Sequence, residues 1–310
     1  MDRCTQYIEL CEKDPQFWSS EDCEHKIAEG LLQLKKGLEQ ETVRSKPGLL
    51  GFLSRKKQAV YKPVGYMRGL AMVANQYSAM IPYAGLYAAY KSGDYSHLQQ
   101  ALYQFARITA LFGNVMDSGE DHSTGFRSVI WGLAAGDRPL LEILLPEECG
   151  VATTGHPLNV VCTNLLMGLW YGSDAHLAAG KESAAAWLKS KHTVTHAGTV
   201  RYLLALTESD AVDAGEALLE ICKGIPHEKD FFVQSAAKQF GRHMVPFLHG
   251  LYSIAYFIKG REFRAQLPMP EQYLWEPYTD NLAQKDSPAP AGLFIDFSGG
   301  ARIINWLLDR

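Results

Sequence analysis

The chain has 310 residues, of which 47% are hydrophobic and 21% are charged. This composition is typical of a folded globular protein and excludes a disordered chain or a fibre. The formal net charge is −4 at pH 7, which argues against general binding of nucleic acid. The length allows either one elongated helical domain or two domains of ordinary size.

Targeting and cysteine patterns favour a cytoplasmic protein. The chain opens with Met1-Asp2-Arg3 and a polar, acidic helix rather than an apolar signal core, and no run reaches membrane-spanning length without charges. Six cysteines, at positions 4, 11, 23, 149, 162 and 222, form neither a CxxC pair nor a disulfide framework. We therefore expect reduced thiols, no membrane partner and no cofactor.

Residues 1–63 predict N-terminal helices followed by a basic linker. Two helices are expected up to residue 43, joined at Asp14-Pro15. Ser19 and Asp22 have the Ser-x-x-Asp spacing of a capping box, which marks the start of the second helix. Residues 44–63 then combine Pro and Gly with six basic residues, a composition that favours a solvated loop over a phosphate-binding segment.

Residues 64–260 repeat one pattern, in which a small residue and Asp interrupt two apolar helical segments. These breaks are Gly93-Asp94, Gly136-Asp137, Ser173-Asp174 and Ser209-Asp210. The Asp residues are 43, 37 and 36 positions apart, a spacing found in helical hairpins that stack on one another. Such turns also join antiparallel helices that do not repeat. Both interpretations predict an all-α body of stacked antiparallel helical hairpins, either a bundle or a short α-solenoid.

The clearest of these helix pairs lies between Ala184 and Cys222. Its apolar residues recur at helical steps, and this spacing predicts that Leu203 and Leu206 lie in the core. The recurring residues are Tyr202, Leu203, Leu206, Leu218, Leu219 and Cys222.

Residues 261–310 predict a different, mostly irregular strap. Five prolines between positions 268 and 290 forbid long helices there. We expect one short strand over Leu293–Phe297 and a closing helix over Ala301–Leu308.

No segment carries a strong catalytic or metal-binding motif. His192 and His196 are four residues apart and would share a helix face, but no third ligand and no HExxH arrangement accompany them, so ordinary helix histidines are favoured. The run from Asp117 to His122 offers carboxylates and an imidazole for acid–base or cation chemistry. A hydrated loop that caps the next helix is the favoured interpretation.

The helix and break rhythm carries one family resemblance. The segments AAYKSGDYSHLQQAL, GLAAGDRPLLEIL, HAGTVRYLLALTESDAVDAGEALLEI and HGLYSIAYFIKG, followed by the Pro-rich strap, resemble the all-helical immunity proteins of bacterial toxin systems. The nearest family is the one called immunity protein 49, and the similarity spans roughly residues 65–280. The resemblance implies a cytoplasmic antitoxin that binds one cognate toxin and blocks its active site. It transfers no catalytic residue.

Two other functions stay open. The first is a metal-dependent helical enzyme that uses the Asp117–His122 cluster, and the second is a helical-repeat adaptor that binds peptides.

An antitoxin would be expected to contact its partner through the acidic loops between helices. Loops of stacked hairpins line up along one edge, so Asp117, Glu120 and Asp121 would join Glu147 and Glu148 in one acidic rim. Such a rim suits a toxin with a basic active cleft. Aromatic residues of the strap, Tyr273 and Trp275, would then anchor the complex.

Overall fold

The computed structural model describes residues 2–44, 65–116, 119–228, 237–284, 290 and 292–308. Within these ranges the regular secondary structure is helical, without a strand, so the all-α prediction is confirmed. The α-helices are α1 (Arg3–Lys13), α2 (Ser20–Arg44), α3 (Tyr66–Ser78), α4 (Ile81–Ser92), α5 (Ser96–Val115), α6 (Phe126–Ala134), α7 (Arg138–Leu144), α8 (Pro157–Tyr171), α9 (Asp174–Trp187), α10 (Val194–Glu208), α11 (Ala211–Gly224), α12 (Ala237–Phe240), α13 (Pro246–Lys259), α14 (Arg261–Arg264), α15 (Glu276–Gln284) and α16 (Arg302–Leu308).

Each predicted break separates two helices that pack against each other. The resulting pairs are α4 with α5, α6 with α7, α8 with α9, and α10 with α11. Asp137 and Asp210 cap the helices that follow them, because their carboxylates accept hydrogen bonds from first-turn N–H groups. The hairpins α8–α9 and α10–α11 also stack on each other through contacts between α8 and α10.

The predicted capping box at the start of α2 is present. The Ser19 N–H donates to the Asp22 carboxylate at 2.9 Å, and the Asp22 N–H donates to Ser19 Oγ at 3.2 Å. The two residues satisfy each other's backbone donors at the helix start, as the sequence spacing indicates.

The buried side chains form two large clusters. One draws its members from residues between Phe126 and Leu274. The other combines the N-terminal helices α1 to α5 with apolar residues from the C-terminal segment. These C-terminal members are Trp275, Tyr278, Ile295, Phe297, Ala301, Ile304 and Leu308. The C-terminal strap therefore crosses back and closes the N-terminal core.

The strand predicted over Leu293–Phe297 is absent, which corrects the sequence-based expectation. Its backbone pairs with a side chain instead of a neighbouring strand. The amide of Gln104, which is fully buried in α5, donates to the Ile295 carbonyl at 2.8 Å and accepts from the Ile295 N–H at 2.9 Å. The predicted closing helix is present as α16, which a short 3-10 turn precedes.

Replacing Leu203 with Ala is expected to lower the free energy of unfolding by about 2–5 kcal/mol. This side chain of α10 is fully buried in the cluster formed between Phe126 and Leu274, and truncating it leaves a cavity. Leu219 of α11 is the matched control. It is 42% exposed, so Leu219→Ala should change stability by no more than about 0.5 kcal/mol. Urea unfolding of both variants measures the difference, and equal losses would contradict the packing described here.

Candidate functional site

Asp121 fastens together the two loops that the sequence analysis singled out. One oxygen of its carboxylate accepts hydrogen bonds from the N–H groups of Thr153 at 2.7 Å and Thr154 at 2.8 Å. The other accepts from the Ser123 N–H at 2.9 Å, which caps the short 3-10 turn His122–Gly125. The Asp121 N–H in turn donates to the Thr154 carbonyl at 3.0 Å. The loop before α6 and the loop before α8 are therefore held as one unit.

These hydrogen bonds favour the ionised form of Asp121. Partial burial acts to raise the pKa of the carboxyl group, but the N–H groups of Thr154, Ser123 and Thr153 outweigh it and lower the pKa. Asp121 is thus a charged structural residue at neutral pH, with its oxygens already engaged.

Three other predicted acids are exposed on the same pair of loops. Glu120 precedes Asp121, while Glu147 and Glu148 follow α7. One neighbour, Cys149, feels charges from both loops. Burial raises the pKa of the Cys149 thiol, and the charges of Glu148 and Asp121 raise it further. We call Glu120, Asp121, Glu147 and Glu148 the acidic rim. Asp117, the remaining predicted member, lies outside the described residues.

The charges of Glu147 and Glu148 also act on Tyr171, at the end of α8. Burial is the main cause that raises the pKa of Tyr171 to about 12, and the charges of Glu142, Glu147 and Glu148 add to it. Its hydroxyl donates to the Leu145 carbonyl at 2.9 Å, which ties the end of α7 to α8. The acids of this loop therefore stand at a defined position on the body.

The two aromatic anchors predicted in the strap are core residues in the free protein, and their contact with a partner stays a prediction. Tyr273 is 4% exposed and Trp275 is 8% exposed. The Trp275 ring lies 4.5 Å from the Tyr90 ring and 5.0 Å from the Tyr95 ring, measured between centroids. In the free protein both side chains hold the strap against the body, because burying large aromatic surface is their most favourable state.

The imidazole of the Asp117–His122 cluster lies partly inside the protein. Burial lowers the pKa of His122, while the Asp121 charge raises it and the neighbouring His176 lowers it again. Its Nε2 atom is buried and has no hydrogen-bond partner among the described residues. The arrangement sets a neutral imidazole beside a carboxylate that backbone N–H groups already occupy.

His192 and His196 do not share a helix face, contrary to the geometry assumed for a metal pair. Thr193 caps α10, so the helix begins at Val194 and only His196 lies within it. His192 stacks on the Trp187 ring at a centroid distance of 3.3 Å, and its Nε2 is 2.6 Å from the Trp187 carbonyl. In the part of the chain that the structure describes, no group of three or more His, Cys, Asp or Glu residues is arranged to hold a metal.

A second acidic surface, which the sequence analysis missed, lies across α9, α10 and α11. It is an open groove of about 740 Å³. Its lining residues are Lys181, Ala185, Leu188, Arg201, Leu204, Ala205, Glu208, Asp210, Asp213, Glu216, Ala217 and Glu220. We call it the α10 groove. A sequence signal existed, because the acids from Asp210 to Glu220 recur at steps of three or four residues and so follow one face of α11.

Comparison with known proteins found no matching family model, no similar protein with a curated function and no similar solved structure. The resemblance to immunity proteins therefore stays a hypothesis. None of the helices in the described ranges combines the length and apolar content needed to cross a bilayer.

Proposed function

We propose that this protein is an immunity protein, an antitoxin that binds a cognate bacterial toxin with a basic active cleft and blocks it. The observation that supports this most is the acidic rim. Asp121 fixes two loops to each other through backbone hydrogen bonds, and Glu120, Glu147 and Glu148 are exposed on these two loops.

A fixed set of exposed carboxylates suits the recognition of a basic protein. Preorganised loops lose little conformational entropy on binding, so more of the interaction energy appears as affinity. Opposite charges on two partners also steer their encounter, and this raises the association rate at low salt. A toxin that acts on nucleic acid or on a phosphorylated nucleotide would offer such a basic cleft, and the rim would enter it in place of the substrate.

The two alternatives have weaker support. In the enzyme hypothesis the Asp121 carboxylate would serve as a base or a metal ligand, yet three backbone N–H groups already use its oxygens. The adaptor hypothesis draws support from the α10 groove, which is a concave surface between stacked helices. Neutralisation of one specific toxin separates an antitoxin from a general peptide adaptor.

Reversing Glu120, Glu147 and Glu148 to Lys together is expected to slow association with the toxin by roughly tenfold or more at low salt, because the steering charge changes sign. Asp121 is left unchanged, since its loss would disturb the loops themselves. The proposal requires a secreted toxin encoded immediately upstream of this gene, and that toxin is the partner to use. Stopped-flow association at low and moderate salt measures the effect.

The control reverses Glu21, Glu29 and Glu271, which are exposed acids outside the rim. It changes the net charge by the same amount, so a general charge effect would appear in both variants. An unchanged association rate in the rim variant, with cells still protected, would exclude the rim as the toxin-binding surface. Failure of the wild-type protein to protect cells from that toxin would overturn the proposed function.

A further inference from the structure

The floor and the walls of the α10 groove differ sharply in chemistry. The floor is apolar and made largely of small side chains, with Ala185 and Leu188 from the α9 end, Leu204 and Ala205 from α10, and Ala217 from α11. Small residues allow another element to approach the α10 backbone closely, since the distance between packed helices depends on the side chains at the contact.

The walls are acidic. Five carboxylates line the groove, against two basic side chains. Both bases are already paired: Lys181 Nζ lies 2.6 Å from Glu208 Oε1, and Arg201 Nη1 lies 2.6 Å from Glu220 Oε2. These pairs are roughly half exposed, so a competing cation can replace them at little cost.

The remaining acids leave a negative charge along α11. Asp210 uses its carboxylate to cap the helix. Asp213 and Glu216 are exposed and form no ion pair with any described residue. Lys259 Nζ donates to the hydroxyl of Ser209, the residue before Asp210, at 3.0 Å. The groove therefore offers an apolar track with an excess of carboxylates beside it.

The helices and side chains around the groove favour an α-helix as the element that binds in it. The surrounding α9, α10 and α11 are helices whose backbone groups bond internally, so no sheet edge is available to which a strand could be added. The residues that line it include no aromatic side chain, whereas grooves for proline-rich segments are lined by aromatic rings. A helix can lay its ridges of side chains along the floor.

We propose that the α10 groove binds an α-helix of the partner toxin that turns apolar side chains to the floor and Lys or Arg side chains to the carboxylates of α11. The proposal rests on the proposed function for the source of the helix, and on charge complementarity for its chemistry. An acidic rim and an acidic groove would then contact two basic features of one toxin.

The first test uses a peptide probe with the full-length protein. The probe is a fluorescein-labelled amphipathic helix of about 15 residues, built from Leu, Ala and Lys to match the length of α10. A peptide of the same composition in scrambled order is the control for general attraction to an acidic protein. Fluorescence anisotropy should show that the amphipathic peptide binds at least about tenfold more tightly than the scrambled one. Equal binding of the two would overturn the proposal.

Two variants place the binding in the groove. Asp213→Lys with Glu216→Lys reverses the unpaired charges, and Ala185→Trp fills the groove without changing charge, because the Ala185 side chain is exposed and lines the groove. Each should weaken peptide binding about tenfold or more. The triple Lys variant of Glu120, Glu147 and Glu148 should leave it unchanged. Peptide binding that survives Ala185→Trp would overturn the groove as the site.

The same variants separate this proposal from the proposed function. If the protein neutralises the toxin and the groove variants bind the toxin as tightly as the wild type, the groove assignment is wrong and the function stands. If the protein does not bind the toxin, the proposed function fails. The peptide measurements then still decide whether the groove takes a basic amphipathic helix.

Discussion

Replacing Asp137 with Ala is expected to lower the free energy of unfolding by about 3–5 kcal/mol, because it leaves the guanidinium of Arg107 buried without its partner. Asp137 is fully buried, and the Arg107 side chain is 10% exposed. Arg107 Nε lies 2.8 Å from Asp137 Oδ2, and Nη2 lies 3.2 Å from Oδ1. Removing one member of such a pair costs far more than removing a surface ion pair.

This pair also connects three parts of the chain. Asp137 caps α7 through the Leu140 N–H, and Arg107 projects from α5. The Nη1 group of Arg107 donates to the Leu308 carbonyl at 2.8 Å, which holds the end of α16. Loss of the carboxylate is therefore expected to loosen the closing helix together with the break between α6 and α7.

Asp210→Ala is the matched control. Asp210 occupies the equivalent break before α11 and caps that helix, but it is exposed and has no buried arginine. Its removal should cost only about 1 kcal/mol, which is the usual value for a helix cap. Urea unfolding of the two variants measures the comparison. Equal losses would show that the Arg107 pair contributes nothing beyond the cap.

The two aspartates also show where sequence reasoning stops. The sequence identifies both as small-residue and Asp breaks, and local hydrogen bonding is enough to predict that they cap the next helix. The burial of Asp137 depends on Arg107, which is 30 residues away and on another helix. No local pattern distinguishes a capping aspartate in solvent from one in a buried ion pair.

The C-terminal strap makes the same point for backbone structure. A short run rich in apolar and aromatic residues favours a strand at Leu293–Phe297. In the folded protein the Ile295 backbone pairs with Gln104, a residue 191 positions earlier, so this segment needs no partner strand. The strap's aromatic residues were likewise recognisable as large and apolar, but their burial in the core depends on contacts from the N-terminal half.

The candidate surfaces were predictable in part. Acidic loops are visible in the sequence, and the hairpin pattern suggests that they meet. The Asp121 carboxylate is occupied by hydrogen bonds from Thr153 and Thr154, whereas Glu120 stays exposed. Only the fold brings Thr153 and Thr154 to this position. The acid stripe of α11 was also visible, but the groove beside it arises from the packing of three helices.

Replacing Gly250 with Ala is expected to lower the free energy of unfolding by at least about 3 kcal/mol, because α13 crosses α6 there with almost no space between the backbones. A Cβ atom on Gly250 would overlap the Ile130 carbonyl oxygen and would lie 2.7 Å from the carbonyl carbon. These atoms belong to a helix backbone and cannot rotate away. The two helices would have to separate, and the buried residues of α13 from Pro246 to Ala255 would lose contacts with the core.

Gly113→Ala in α5 is the control that separates this steric effect from the general effect of adding a methyl group to a helical glycine. A Cβ atom at Gly113 meets no neighbour within 4 Å. Alanine favours the helix over glycine, so this variant should be more stable by up to about 1 kcal/mol. The midpoints of thermal and urea unfolding should therefore shift in opposite directions for the two variants. A stabilised Gly250→Ala protein would mean that α6 and α13 do not approach each other this closely. The cluster of buried residues between Phe126 and Leu274 would then have to be packed differently.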